Sequence, residues 1–397
     1  METSLYLHIP FCAGVCDYCD FYSIPVERAD PRLDRYVDRL LADTRQALSG
    51  YAVSSAPTVY IGGGTPSLLG HQRLKRLLSG LAGLMPNAPL EFTIEANPES
   101  ADKAFFETCA GHGVNRVSLG VQTFHESSRK AVNRVGEARF LRERLDLARS
   151  FFPAAFSVDL IAGLPFQNEA VLHADIERAL AFEPAHVSLY SLTVEERTPL
   201  WKEWEKTGRF DRDTERIDRL WLAGRDELER NGYIQYEVSN FCRNEGTSEA
   251  SKKNMSAHNL RYWRMENWLG VGAGASGTVI DDETGTGVRR TVAADIDAYL
   301  TSPVVAEERL GRSVLIKETF LMGFRTMFGP DKALFQKRFH TDIEACIPET
   351  IALWRDKGLF DQKEPRLTHA GLLFLDAFLR EAFSELDRGG CAGNASL

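Results

Sequence analysis

Short apolar stretches alternate with longer amphipathic stretches through the first half of the chain. The apolar stretches have the length and β-branched content of buried strands, whereas the stretches between them repeat apolar residues at helical spacing. Six strands are predicted, at residues 5–9, 58–61, 90–95, 116–121, 155–161 and 186–192. Helices are predicted at residues 31–48, 72–83, 102–110, 140–150 and 169–181. This order predicts an α/β fold with a parallel sheet and helices outside, which we interpret as an open six-unit (β/α) barrel.

The pattern changes beyond the last of these strands. A long amphipathic helix is predicted at 214–231 and a strand at 233–239. The polar segment at 243–256 that follows is expected to be exposed and mobile. A glycine-rich turn is predicted at 270–276. From about residue 307, helical patterns around a short predicted hairpin resemble a winged helix. The expected division is a barrel at 1–235, a barrel extension at 236–306, a small winged-helix-like C-terminal domain at 307–385 and a disordered tail at 386–397.

Composition narrows the possible partners and location. The chain is 44% hydrophobic and 26% charged, as in ordinary globular proteins, and its net charge of -9 argues against nucleic acid as a partner. No apolar run has the length of a membrane span, and the first predicted strand begins too close to Met1 to leave room for a signal peptide. The seven cysteines are an odd number and mostly scattered, which favours a reducing compartment. We therefore expect a cytoplasmic protein.

Three cysteines lie together in the loop after the first predicted strand. Cys12, Cys16 and Cys19 follow the spacing C-x3-C-x2-C. Thiolates are the preferred ligands of iron–sulfur clusters, and three of them can bind three irons of a [4Fe–4S] cluster. Phe21 stands where a fourth thiolate might follow, so one iron would stay open, as in reactive metal sites. The alternative is a zinc site with His8, which is disfavoured because zinc ligands usually come in two separated close pairs.

Glycine and polar residues collect where the predicted strands end. Ligands of α/β folds bind at this edge of the sheet. Each residue alone has an ordinary structural explanation, as a turn glycine or a paired carboxylate, but a polar ring along one edge indicates a ligand site. Arg134, which follows the fourth strand, could pair with a carboxylate through two hydrogen bonds. The other members of this ring are Gly63, Gly64, Thr65, Glu95, Gln122 and Asp159.

The string from Tyr6 to Phe21, YLHIPFCAGVCDYCDF, resembles the signature of the radical S-adenosylmethionine (SAM) superfamily. Within it, the chain resembles the coproporphyrinogen III dehydrogenase-like family (HemN/HemW), most closely its HemW-type heme chaperones. The resemblance implies a partial barrel and a [4Fe–4S] cluster whose open iron is chelated by SAM. It also implies that the reduced cluster can cleave SAM to a 5′-deoxyadenosyl radical.

The resemblance also assigns roles to the polar ring. Gly63, Gly64 and Thr65 would contact the methionyl part of SAM. Glu95 and Asp159 would accept hydrogen bonds from the ribose or the ammonium group. The full set of implied SAM-binding residues adds Gln122, Arg134, Tyr6 and Tyr18, with both tyrosine rings near the adenine and the cluster. For Tyr18, a role as a simple loop anchor stays open.

A second family string lies at His258-Asn-Leu-Arg-Tyr-Trp263, in the pattern HNxxYW. It resembles a segment typical of HemW-type proteins, which implies that His258 ligates heme iron while Tyr262 and Trp263 stack on the porphyrin. Arg261 or Arg264 could then meet the heme propionates. From the residues alone, the favoured interpretation is a histidine and two aromatic rings that pack the open side of the barrel, because most histidines are not metal ligands. The resemblance makes the two interpretations equally open.

Two functions are compatible with the resemblance. One is a heme chaperone that binds a [4Fe–4S] cluster, SAM and heme, and that delivers heme to acceptors such as respiratory-chain proteins, at whose membrane it could associate peripherally. The alternative is an oxygen-independent coproporphyrinogen III dehydrogenase. Members of the dehydrogenase group have a further cysteine where this chain has Phe21, and a longer segment ahead of Tyr6. The chaperone is therefore favoured, and no catalytic residue is assigned.

Overall fold

A mixed sheet of twelve strands organises the structure. The structure, a computed structural model, describes residues 1–208 and 214–389. The described strands are β1 (Ser4–Ile9), β2 (Phe11–Cys12), β3 (Ile24–Pro25), β4 (Thr58–Gly63), β5 (Glu91–Ala96), β6 (Arg116–Gln122), β7 (Phe156–Ala162), β8 (His186–Ser191), β9 (Tyr233–Gln235), β10 (Asn240–Arg243), β11 (Trp268–Val271), β12 (Ser276–Asp281), β13 (Thr286–Val292) and β14 (Val305–Leu310).

Helices cover the outer face of this sheet and build the C-terminal region. The described α-helices are α1 (Arg32–Gly50), α2 (Gly70–Leu84), α3 (Lys103–Gly111), α4 (Glu126–Ala131), α5 (Leu141–Phe151), α6 (Glu169–Leu180), α7 (Pro199–Thr207), α8 (Thr214–Arg230), α9 (Ser248–Ser251), α10 (Ala257–Trp263), α11 (Ile296–Thr301), α12 (Arg312–Gly323), α13 (Lys332–Phe339), α14 (Ile343–Cys346), α15 (Pro348–Asp356), α16 (His369–Leu372) and α17 (Leu375–Gly389). Short 3-10 helices lie at Pro66–Leu69, Ala138–Phe140 and Lys252–Asn254.

The six predicted strands are neighbours in chain order, as β1, β4, β5, β6, β7 and β8, and all are parallel. A seventh parallel strand, β11, pairs with β1 where the sequence indicated only a turn. Antiparallel strands extend both ends, with β12, β13 and β14 beyond β11 and with β10 and β9 beyond β8. Because β14 and β9 form the two ends of this order, the sheet is open, and the predicted α/β fold with a parallel sheet and helices outside is confirmed.

Side chains alternate between the two faces of the parallel strands. In β6, Val117, Leu119 and Val121 are buried in the main hydrophobic core, between the sheet and its helices. Ser118 and Gln122 point the other way, because successive strand residues face opposite sides. The inner face of the barrel is therefore largely polar. The fold is stabilised mainly on the outer face, where each buried leucine contributes about 1.5–3 kcal/mol to the free energy of unfolding.

Local signals explain where the covering helices begin. Asp102 accepts a hydrogen bond from Phe105 N at the start of α3, and Asn168 accepts one from Val171 N at the start of α6. Side-chain caps of this kind satisfy backbone donors that have no partner inside the helix. They account for the agreement between the predicted and observed starts of α3 and α6.

The C-terminal helices enclose a second core rich in phenylalanine, including Phe320, Phe324 and Phe378. The predicted hairpin is reduced to one antiparallel bridge between Phe360 and Leu367. The last helix, α17, continues to Gly389, which corrects the expected disorder of residues 386–389. The rest of the expected tail, 390–397, lies outside the described residues.

The polar segment 243–256 also differs from its expected exposure. It contains α9 and a 3-10 turn, and Ser251, Asn254 and Ser256 are buried. Asn254 Nδ2 donates to Arg243 O at 3.0 Å, so the segment folds back on the end of β10.

In the described part of the chain, no helix combines the length and apolarity that a bilayer crossing requires.

Candidate functional site

A cavity of about 400 Å³ lies at the carboxyl ends of the parallel strands. This is the edge that sequence analysis predicted for a ligand. The cavity brings together most of the predicted site residues, which come from the cysteine loop and from four different strand ends. Those that line it are Cys12, Cys16, Tyr18, Cys19, Gly63, Gly64, Glu95, Gln122, Arg134 and Asp159.

The cysteine loop is held by backbone contacts along its length. Its start pairs with its end through β2 and β3, and Val26 N donates to Cys12 O at 2.9 Å. Asp17 N donates to Val132 O at 3.0 Å, which ties the loop to the segment after α4. Gly14 packs there as well, because a Cβ at its position would lie 2.7 Å from Val135 Cγ2. The three thiols are thus presented from an ordered loop.

Two side chains donate hydrogen bonds to the cysteine sulfurs. Thr65 Oγ1 donates to Cys12 Sγ at 3.3 Å, and Arg134 Nη1 donates to Cys16 Sγ at 3.6 Å. Burial raises the pKa of Cys12 and raises that of Cys19 to about 11. Such donors stabilise thiolates and cluster sulfurs and tune an iron–sulfur cluster. Three thiols with donors facing them fit a [4Fe–4S] cluster.

Arg134 is also fixed on the strand side of the cavity. Its Nη2 donates to Gly120 O at 2.5 Å and to Asn97 Oδ1 at 2.9 Å. Gly120 is necessary here, because a Cβ would lie 2.9 Å from Asn97 Oδ1 and 3.0 Å from Gln122 Nε2. Within the described residues, neither Gln122 Oε1 nor Arg134 Nε has a hydrogen-bond partner. Buried polar atoms without partners are rare and costly, so these two atoms fit a polar ligand such as SAM.

Arg129 shapes the segment that carries these two side chains, and the sequence analysis did not identify it. Its guanidinium is almost fully buried and donates to the carbonyl oxygens of Val121, Thr123, Val135 and Gly136 at 2.9–3.3 Å. It therefore holds the end of β6 against the loop after α4. An arginine in a short helix after a strand carries no distinctive sequence signal, because its role depends on backbone groups that only the fold brings together.

Two carboxyl groups face the cavity from β5 and β7. Glu95 accepts hydrogen bonds from Tyr60 OH at 2.7 Å and from Gly63 N at 3.0 Å. Burial raises its pKa to about 7. Asp159 accepts from Ser118 Oγ at 3.0 Å, and burial raises its pKa to about 6. Both pKa values lie close to pH 7, so each carboxyl group can gain or lose a proton near this pH. A bound cation would favour the ionised form of both groups.

Tyr6 lies deeper, outside the cavity lining. Its hydroxyl is hydrogen-bonded to His8 Nδ1 at 2.9 Å, and His8 Nε2 is bonded to Tyr22 O at 3.0 Å. Both ring nitrogens of His8 are thus engaged within the protein, which does not support the alternative of a zinc site. Among the described residues, no three His, Cys, Asp or Glu side chains converge to hold a single metal ion.

His258 lies at the opposite, amino-terminal end of the barrel and is buried. Its Nδ1 is bonded to Oγ1 of Thr58, the first residue of β4, at 2.8 Å, and its Nε2 to Tyr262 OH at 2.9 Å. Burial lowers its pKa to about 3, so the ring is neutral. Arg261 pairs with Glu2 and Glu266. The structure therefore does not support heme ligation by His258 and indicates the alternative interpretation, a packing role.

The mouth of the cavity carries exposed aromatic rings. Phe21 is 72% exposed and Tyr190, at the end of β8, is 43% exposed. The sequence analysis used Phe21 only as a missing ligand and gave Tyr190 no role. Alternation along β8 could have placed Tyr190 on the inner face, two residues beyond Ser188.

Comparison with known proteins agrees with this geometry. Residues 6–179 match the Radical SAM superfamily. The heme chaperone HemW of Lactococcus lactis is 32% identical over 369 residues, covering 91% of this chain and 92% of that protein. HemW of Bacillus subtilis is 30% identical over 399 residues, covering 95% and 99%. The solved structure of coproporphyrinogen III oxidase (HemN) from Escherichia coli has a TM-score of 0.79 at 21% identity, covering 96% of this chain and 90% of that one. The chain thus belongs to the HemW family of the radical SAM superfamily.

Proposed function

We propose that this protein is a HemW-type heme chaperone, which binds a [4Fe–4S] cluster, SAM and heme and delivers heme to acceptor proteins. The observation that carries the proposal is the composition of the cavity. The cavity is lined by three thiols and by Gln122 and Arg134, each of which has a polar atom without a partner among the described residues. Phe21 is exposed at the mouth of the cavity, at the position where the dehydrogenase pattern has a fourth cysteine. The HemW relatives support the chaperone assignment.

Cys12, Cys16 and Cys19 would hold the cluster and leave one iron open. Thr65 and Arg134 would donate hydrogen bonds to the sulfurs, as they do to the thiols. When bound and reduced, such a cluster supplies one-electron chemistry to SAM. The surrounding protein would hold the cluster away from bulk water.

SAM would occupy the space between the cysteine loop and the strand ends. Gly63 and Gly64 allow its methionyl part to approach the backbone, and Gly63 N already donates to Glu95. Gln122 Oε1 and Arg134 Nε offer the acceptor and donor that lack partners. Glu95 and Asp159 would attract the positive charge of SAM and accept from its hydroxyl or amino groups.

Heme would cover the mouth of the same cavity. Large exposed apolar side chains that border a cavity indicate binding sites. Phe21 and Tyr190 can pack against the face of a flat porphyrin, and Ile161 and Leu192 extend the apolar wall. Acceptors, among them respiratory-chain proteins, would take heme from this open face, which could bring the protein to a membrane surface through them.

The alternative remains an oxygen-independent coproporphyrinogen III dehydrogenase, and one anaerobic experiment separates the two. The reconstituted protein is incubated with SAM, a strong reductant and coproporphyrinogen III, and protoporphyrinogen is assayed. In parallel, heme is titrated and followed by its Soret band. We expect one heme per chain and no product. Product formed with turnover would overturn the chaperone proposal.

The place of heme is tested by truncating one ring at the mouth. Phe21→Ala should weaken heme binding about tenfold, since a buried aromatic side chain contributes about 1.5–3 kcal/mol. Phe374→Ala is the matched control, because this ring is 54% exposed but lies in the C-terminal region. Equal heme affinity in both variants would place heme elsewhere.

A further inference from the structure

A continuous series of contacts runs through the barrel from one end to the other. It begins at Tyr262, whose hydroxyl is bonded to His258 Nε2 at 2.9 Å. The His258 ring stacks on Tyr60, with ring centroids 5.0 Å apart and an interplanar angle of 26°. The Tyr60 hydroxyl then donates to Glu95 Oε1 at 2.7 Å, and Glu95 Oε2 accepts from Gly63 N. The series therefore ends at the proposed SAM site.

We propose that His258 and Tyr262 are positioning residues for SAM binding, which act through the stacked ring of Tyr60 on Glu95. The inference rests on the proposed binding of SAM in the cavity. It gives the HNxxYW segment a function other than heme ligation, at the opposite end of the barrel from the cluster. None of these three residues need touch SAM for this role.

The His258 ring is well suited to hold Tyr60. Its two nitrogens are both bonded, to Thr58 and to Tyr262, so the ring cannot rotate without losing a hydrogen bond. The helix that carries it, α10, is anchored at its amino end by Glu91, which accepts from Ala257 N at 2.8 Å and from His258 N at 3.0 Å. Acidic groups are favoured at this end of a helix.

The ring of Tyr60 also neighbours that of Tyr6, with ring centroids 6.2 Å apart and an interplanar angle of 30°. The inner face of the barrel is polar, and it does not provide the dense apolar packing that usually restrains an aromatic ring. The orientation of Tyr60 therefore depends on its two ring neighbours, together with its hydrogen bond to Glu95 and its packing over Gly62. Because one oxygen of Glu95 is fixed by Tyr60 and the other by Gly63, a shift of Tyr60 would redirect the carboxylate in the cavity.

The barrel contains a matched control for this role. His186 is also buried at the amino-terminal end, and both of its ring nitrogens are bonded, to Ser157 Oγ at 2.7 Å and to Tyr236 OH at 2.8 Å. Its partners are not members of the series that leads to Glu95. Replacement of His186 should disturb the barrel as much as replacement of His258, without the same path to the cavity.

The test measures SAM affinity by anaerobic equilibrium dialysis with radiolabelled SAM on the reconstituted protein. The variants are Tyr60→Phe, His258→Ala, their combination and His186→Ala, and iron content and heme stoichiometry are determined for each. Mutation of a residue that orients a metal ligand typically costs about 10–100-fold in metal affinity. By analogy, we expect SAM binding to weaken about tenfold in Tyr60→Phe and in His258→Ala, because both changes release the carboxylate of Glu95. The combined variant should lose little more than either alone, because both changes act on one path.

His186→Ala should bind SAM like the wild type, and all variants should keep their iron and one heme per chain. Wild-type SAM affinity in His258→Ala would overturn the inference, as would loss of heme in that variant. If His258→Ala does not fold, the inference is tested by the SAM affinities of Tyr262→Phe and Tyr60→Phe. Unchanged SAM affinity in both of these variants would overturn the inference. Absence of SAM binding in the wild type would instead contradict the proposed function.

Discussion

The two ends of the barrel both contain buried polar residues, but the predicted ligand-binding residues at the two ends differ in how they are hydrogen-bonded. At the carboxyl end, Gln122 has a left-handed backbone, with φ of 67°, and its Oε1 has no partner among the described residues. At the amino end, both nitrogens of His186 and of His258 are hydrogen-bonded. Strained backbone and orphaned polar atoms cost free energy, and they persist mainly at sites of function.

This difference separates the two family motifs of the chain. The cysteine loop and the HNxxYW segment both resemble family strings, and both contain residues able to ligate iron. The three cysteines of the first line the cavity at the carboxyl ends of the strands. In the second, Leu260 borders a separate pocket, but His258 is buried and lines neither pocket. The second closes the amino end of the barrel, where its histidine is bonded on both sides and its arginines are paired. A family motif therefore indicates membership, whereas the state of its hydrogen bonds indicates what it can bind.

The largest expected effect lies at the carboxyl end. Cys16→Ala should abolish the cluster, because two thiolates cannot hold it, and should leave the fold mostly intact. Iron and sulfide analysis and the brown absorbance of the reconstituted protein measure this. Cys109→Ala, in the buried face of α3, is the control and should retain the cluster. Wild-type iron and sulfide in Cys16→Ala would show that the three cysteines are not the cluster site.

A smaller effect is expected from Gly120→Ala, which adds one methyl group between three polar side chains. The methyl group would displace Gln122 or Arg134 from its position facing SAM. Loss of one hydrogen bond to a charged ligand costs about 2 kcal/mol, which corresponds to SAM binding weaker by about 30-fold. Gly111→Ala, at the end of α3, adds its methyl group where nothing lies within 4 Å. It should leave SAM affinity unchanged. Equal affinity in the two variants would place SAM away from Gly120.

The pH dependence of SAM binding should report Glu95. Its carboxyl, with a pKa of about 7 without ligand, binds a proton as the pH falls, and a cationic ligand prefers the ionised form. Affinity should therefore weaken as the pH falls through 7, by about tenfold between pH 8 and pH 6. The amino group of SAM also titrates in this pH range, so Glu95→Gln serves as the reference for the pH dependence that does not come from Glu95. If wild type and Glu95→Gln show the same pH profile, Glu95 does not contact SAM.

The smallest effect is expected at the amino end. Glu91→Gln keeps the shape of the side chain that caps α10 but removes its charge. Urea unfolding should show a loss of about 1 kcal/mol, typical of a helix cap. Glu107→Gln, at an exposed position on α3, should change stability by less than about 0.5 kcal/mol. A loss no larger in Glu91→Gln than in this control would mean that the Glu91 charge does not stabilise α10.

The sequence alone was sufficient for the six parallel strands, for the helices α1, α2, α3, α5 and α6 that cover them, and for the edge of the sheet that carries the cavity. Strands β12, β13 and β14 were not predicted. Strand periodicity and helix caps are local properties, and parallel strands place their carboxyl ends together wherever they pair. Cys12, Cys16, Cys19 and the glycine-rich turn at 63–65 follow from these properties. The seventh parallel strand, β11, could not be predicted from these properties, because its glycines indicate a turn and its pairing with β1 is a long-range contact.

Only the tertiary structure decided what each polar side chain can do. Tyr60 and Arg129 have no local signal, because their partners lie on other strands or on backbone atoms brought close by the loop. The sequence left His258 open between a heme ligand and a packing residue, and Thr58, two hundred residues earlier, satisfies one of its nitrogens. Hydrogen-bond satisfaction depends on distances in space, so the chain determines the available groups and the fold determines which of them remain free to bind.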